Sequence, residues 1–170
     1  MKMLTSTLLV FFTAMLLSNT TYAGTSNVSW LDPDKYRDIN PGEQGRKQFR
    51  ENTFQHFEKH FAKLAENLPE GQILKVTVTD VDLAGDTHAA GISRMRIVKD
   101  IYFPRLNFSY QLVDTNGIEI IADTVVLKDM SFMMGGSRLK YRNHALSYEK
   151  TMLDDWFAKT FTNRMVKTEK

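Results

Sequence analysis

The chain has 170 residues, 42% of them hydrophobic, and 22 Lys and Arg against 20 Asp and Glu leave a net charge of +2. So balanced a surface offers no field to hold a polyanion, which argues against nucleic acid as the partner. There is no cysteine, and that excludes a disulfide framework, a thiol nucleophile, a cysteine-based zinc site and lipidation on a cysteine.

The first 23 residues predict where the protein works. Lys2 precedes an apolar run from Leu4 to Leu17, and Thr21-Tyr22-Ala23 supplies a small-residue exit. A basic start, a short apolar run and such an exit form a secretory signal peptide. The run falls short of the ~20 residues that span a bilayer. Cleavage after Ala23 is expected to leave 147 of the 170 residues, starting at Gly24 with a net charge of +1, about one domain. Without cysteine, such an exported chain fits the bacterial periplasm, and no later apolar run suggests a transmembrane span after cleavage.

Residues 24–45 read as an edge strand over Val28-Ser29-Trp30-Leu31 followed by an arm, and 46–170 as an α+β domain. Asn40-Pro41-x-Glu43 resembles a helix start, but Gly42 and Gly45 move the first helical residue to about Arg46. From there Phe54, Phe57, Phe61, Leu64 and Leu68 recur every three or four residues and cover one face of a helix over about 46–68, stopped by Pro69 and Gly71. Leu74, Val76 and Val78 then alternate with Lys75, Thr77 and Thr79 as a half-buried strand. The alternation slips at Thr79-Asp80, where either a bulge restores the facing or the strand ends. Residues 84–91 read as a loop and Met95-Arg96-Ile97-Val98 as a short strand.

A hairpin over about 104–129 is the strongest local pattern, with Asn116-Gly117 as its turn. The turn sets Leu112 opposite Ile121, Tyr110 opposite Asp123, Phe108 opposite Val125 and Leu106 opposite Leu127, all on one face. Met130 to Gly136 reads as a mobile apolar loop and Arg138 to Arg142 as a strand with three cations on one side. A last helix over about 145–166 carries Leu146, Leu153, Trp156, Phe157 and Phe161 inward. The expected fold is a single α+β domain, an antiparallel sheet with both helices packed on one face.

Candidate chemistry is sparse. His56 and His60 lie four apart on the first helix, a spacing that can hold a metal, but beside the apolar stripe toward solvent and without an identifiable third ligand. Asp80, Asp82 and Asp123 are candidate buried carboxylates. Asp80 continues an apolar phase and Asp123 faces Tyr110, so each must find donors or keep its proton. The ordinary alternative is that Tyr110 and backbone N–H groups satisfy Asp123 while Asp80 ends its strand. Glu149 and Lys150 flank the inner stripe of the last helix, where an ion pair would root it to the sheet. No catalytic residue, metal set or cofactor is expected from these patterns. Met133 and Met134, followed by Arg138, Lys140 and Arg142, form the best candidate binding surface, since methionine adapts to irregular partners and the cations suit an anionic one. A hairpin loop with a solvated basic face is the plain alternative.

Val28-Ser29-Trp30, Leu74 with the Val78-Thr79-Asp80-Val81-Asp82-Leu83-Ala84-Gly85 run, Phe103-Pro104-Arg105-Leu106, and Tyr148-Glu149-Lys150 with Leu153 and Trp156-Phe157 resemble the DUF3016 family of exported bacterial proteins of unknown function. The resemblance spans nearly the whole mature chain. It implies export, a single domain and a Gram-negative source, and it supplies no catalytic residues. Phe103 stands where the family often has a second proline. The expected function is a non-enzymatic periplasmic binding or accessory module that meets a protein or envelope component; the alternative is a small metal- or carboxylate-dependent periplasmic hydrolase using Asp80, Asp82 or Asp123.

Overall fold

The pleat of the hairpin organises the molecule. In a computed structural model, residues 23–42, 45–90, 93–134, 140–141 and 143–165 are described here, without the side chains of 89, 90, 93 and 163–165. The expected signal peptide up to Tyr22 lies outside them. Six strands form: β1 (Thr25–Trp30), β2 (Ile73–Asp82), β3 (Asp86–Ala90), β4 (Ser93–Ile97), β5 (Arg105–Val113) and β6 (Glu119–Lys128). Two long helices, α1 (Arg46–Ala65) and α2 (Ser147–Met165), complete the fold. The main sheet has the order β1-β2-β5-β6, and β3 and β4 form a separate ribbon.

The expected register of the β5–β6 hairpin is observed, with Leu112 opposite Ile121, Tyr110 opposite Asp123, Phe108 opposite Val125 and Leu106 opposite Leu127. Asp114 organises its turn: one carboxylate oxygen accepts the N–H groups of Asn116 and Ile118, and Gly117 takes the positive φ of 79° that a side chain would resist. β2 pairs antiparallel with β5. β1 is an edge strand as expected, but it runs parallel to β2, so the sheet is mostly rather than wholly antiparallel. A parallel neighbour needs a long crossover, and the arm with α1 supplies it.

Both helices cover the same sheet face. Phe57, Phe61 and Leu64 of α1, with Leu68 just beyond the helix, which ends at Ala65 rather than at 68, meet Leu74, Val76 and Val78 of β2, Leu106, Phe108, Tyr110 and Leu112 of β5, and Leu153, Trp156, Phe157 and Phe161 of α2 in one core. Each of these large side chains contributes ~1.5–3 kcal/mol through burial. Aromatic rings meet edge to face at its centre, Phe108 and Trp156 at 4.9 Å and 90°. Phe54 sits at the margin, stacked on Trp30 at 3.8 Å.

Two segments differ from the sequence reading. Residues 86–90 are a strand, not a loop, paired with β4 from Asp86↔Ile97 to Ala90↔Ser93; a five-residue ribbon of Asp-Thr-His-Ala-Ala has no apolar alternation to announce it. Lys140 and Tyr141 lie in a turn rather than a strand, because Tyr141 is drawn into the core margin beside His60, 5.5 Å ring to ring. Arg138 and Arg142 lie outside the described residues.

Candidate functional site

The bulge in β2 decides where Asp80 and Asp82 point. The register to β5 shifts between Val78↔Phe108 and Asp80↔Asn107, with Thr79 as the extra residue. Val81 therefore turns back into the core, fully buried, and Asp80 and Asp82 turn away from it. Asp80 thus leaves the apolar phase that made it a candidate buried carboxylate, and both aspartates become half-buried beneath the N-terminal arm.

Arginines surround them. Arg105 donates to Asp82 at 2.5 Å while its guanidinium lies over the Phe103 ring, 4.1 Å from the centroid. Arg37 lies 3.6 Å from Asp80 and 3.7 Å from Asp82, and its backbone N–H donates to Asp80 at 2.8 Å. The arm follows β2 further: Asp38 bridges Asp82, donates its N–H to the Val81 carbonyl at 2.9 Å and accepts the Leu83 N–H at 3.2 Å. Arg96, from β4, then joins three segments, donating to Asp38 at 2.8 Å, to the Gly85 carbonyl at 2.8 Å and to the Asn40 carbonyl at 3.0 Å. Its Nε is buried without a partner. Beneath this joint the wholly buried Glu149 accepts the Ala84 N–H at 2.7 Å. Burial raises its pKa, the Ala84 bond and the Arg96 charge opposing. That hydrogen bond roots the helix to the sheet, at Leu83-Ala84-Gly85 just past the end of β2. Lys150 is also buried, and burial lowers its pKa, with Glu149 opposing.

A second polar group lies between the helices. His60 is buried, only 4% exposed, and not on the solvent side of α1 as the helical pattern suggests. Its Nε2 lies 3.1 Å from the Lys150 carbonyl and 2.9 Å from Asp154 Oδ1. The geometry favours the carbonyl, so that carboxylate oxygen is left without a hydrogen bond. The other oxygen, Oδ2, accepts from Lys140 at 2.5 Å and from the Tyr141 hydroxyl at 2.9 Å. Burial holds His60 below its ordinary pKa, with the nearby Asp154 charge opposing. Among the described residues no three His, Asp or Glu side chains converge to hold a metal.

The remaining candidates are scattered. Asp123 is exposed on the edge strand β6 and accepts the neighbouring Thr124 N–H at 2.7 Å; it faces Tyr110 as expected but is not buried. Among the described residues no strand lies beyond it to cover the carboxylate. Met130 is 63% and Met134 87% exposed, on a turn anchored by buried Phe132 against Tyr148, 4.8 Å ring to ring. Met133 is half-buried. Lys140 is held by Asp154 and so is not a loose cation of that turn.

Residues of these networks that the sequence reading passed over are Arg37, Asp38, Arg96, Arg105 and Asp154. Only Arg105 had a usable signal, because extending the strand pairing across the bulge sets it opposite Asp82.

Two helices on one face of a four-stranded, mostly antiparallel sheet, tied to an N-terminal arm by arginine–aspartate pairs, define an α+β domain with a polar joint at its bulged strand. The chain belongs to DUF3016, a family described as protein of unknown function, whose model matches residues 24–159. No match is found among the curated proteins or among the solved structures. No helix among the described residues is long and apolar enough to cross a membrane.

Proposed function

We propose that this protein is exported to the periplasm, loses residues 1–23 there, and works as a non-enzymatic binding or accessory module that meets a protein or another envelope component. The contact surface is the Met130–Met134 turn, Met133 included, with Arg138 and Arg142 following it in the chain and Lys140, tethered to Asp154, between them. One observation carries this reading: Phe132 is pinned in the core margin while Met134, two residues on, is 87% exposed. A fixed base with flexible thioether side chains at its tip suits an irregular apolar partner. The Asp80 and Asp82 carboxylates, each paired with arginine, are occupied in holding the arm, which favours binding over hydrolysis. The family match starts at Gly24, the residue after the expected cut.

Replacing Met130 and Met134 together by serine is expected to abolish co-purification of the envelope partner while leaving the melting temperature nearly unchanged. Capture of the same partner by the double variant would overturn the assignment of the turn. Intact-mass measurement of native periplasmic protein tests the leader, with a chain starting at Gly24 as the expected result.

A further inference from the structure

We propose that Met130 and Met134 form a reversible oxidation site, at which a peroxide turns the apolar tip of the turn polar and releases the partner held there. This rests on the contact role proposed above and adds its regulation. The chain has nine methionines and no cysteine, so thioethers are the only sulfur an oxidant can meet. Susceptibility follows exposure, and exposure divides the methionines sharply. Met134 is 87% and Met130 63% exposed, whereas Met152 is 6% exposed inside the core. The two most exposed of these sulfurs therefore sit together on the turn assigned to contact.

The turn keeps its shape through groups that oxidation leaves alone. The Asp129 carboxylate accepts the Ser131 N–H at 2.9 Å, the Ser131 carbonyl accepts the Met134 N–H at 2.7 Å, and the Phe132 ring packs against Tyr148. None of these fastenings uses a methionine side chain, so the tip changes chemistry while the backbone stays. In the step itself a sulfur lone pair attacks a peroxide oxygen, the S–O bond forms as the O–O bond breaks, and water leaves. The thioether is oxidised by two electrons and the peroxide is reduced. The sulfoxide is polar, and an apolar partner would have to desolvate it without offering a donor. Two thiols reverse the step through a sulfoxide reductase, leaving thioether, disulfide and water.

The test treats the purified protein with hydrogen peroxide and follows each methionine by peptide mass mapping. Met134 and Met130 are expected to oxidise at least roughly tenfold faster than Met152, with the melting temperature nearly unchanged. A pair of methionine sulfoxide reductases, one for each epimer, with dithiothreitol should restore the starting mass. Capture from envelope extract should fall roughly tenfold or more on oxidation, as lost burial of a methionine side chain implies, and return after reduction. A Met130→Leu/Met134→Leu variant should capture the same proteins before and after peroxide. A Met95→Leu variant, which removes an exposed methionine of β4, should respond like the parent. Oxidation of Met152 as fast as Met134, failure of the reductases to reverse it, or capture by the Met130/Met134 leucine variant that falls with peroxide as in the parent would overturn the proposal. Selective, reversible oxidation of Met130 and Met134 without any capture that depends on the turn would instead sink the contact role and leave the oxidation site standing.

Discussion

The two polar networks that flank the core solve the same problem in opposite ways. At the bulge, the carboxylates of Asp38, Asp80 and Asp82 meet Arg37, Arg96 and Arg105, and each carboxylate accepts at least one hydrogen bond. Between the helices, His60 and Asp154 are close but badly aimed, and one carboxylate oxygen has no hydrogen bond. The first network draws three distant chain segments together; the second joins helices that the apolar core already holds. Charge pairs are therefore most complete where hydrophobic contact is thinnest, which is the arm. The ionic pairs act there as fasteners, and the His60–Asp154 contact is a tolerated polar residue of helix packing.

That contrast can be broken by substitution. Arg96→Met should have the largest effect, a loss of roughly 2–4 kcal/mol in urea unfolding, because it strands Asp38 and two backbone carbonyls. A loss below ~1 kcal/mol would show that the arm is held otherwise. His60→Leu should cost about 1–3 kcal/mol at neutral pH, since it leaves the buried Lys150 carbonyl without the side-chain donor between the helices. It also carries a pH signature. Burial lowers the folded pKa of His60 below 6.5, so the unfolded chain takes up the proton first. Its stabilising share is complete above pH 6.5 and is lost as pH falls through the folded value. The slope of stability against pH in that window should flatten in His60→Leu; an unchanged slope would assign the acid sensitivity to other groups. Asp82→Asn should cost about 1 kcal/mol, with most of the coupling to Arg105 recovered in a double-mutant cycle. Lys35→Gln, which removes a pair exposed at 79% and 59%, should change stability by less than about 0.5 kcal/mol. Together these rank the arm joint above the helix contact and both above ordinary surface pairs.

Periodic elements were readable because their physics is local. The Asn116-Gly117 turn and the alternation of Leu106, Phe108, Tyr110 and Leu112 fix both strands and their register, and the three-to-four spacing of Phe57, Phe61 and Leu64 marks a buried helix face. The slip at Thr79-Asp80 leaves a bulge and a strand end equally open, and the pairing with β5 decides for the bulge. What the alternation does not reveal is what the re-aimed aspartates meet. Arg37 and Arg96 reach them across loops and a ribbon whose paths no side-chain period encodes. His60 illustrates the other limit. Beside an apolar stripe a histidine reads as half-exposed, and only the arrival of α2, with Asp154 and Tyr141, buries it. Asp123 shows the converse, a residue on the core-facing side of its strand that stays wet because the sheet stops there.

That last placement bears on how the protein behaves in a crowded compartment. β6 is a ten-residue outer strand rich in Ile and Val, with Val126 71% exposed and no strand beyond it among the described residues, the kind of margin that recruits other chains into fibres. An exposed carboxylate near its middle charges that margin against an added strand. Asp123 is thus best understood as a guard on colloidal behaviour, and its loss would be felt first as clumping at high concentration.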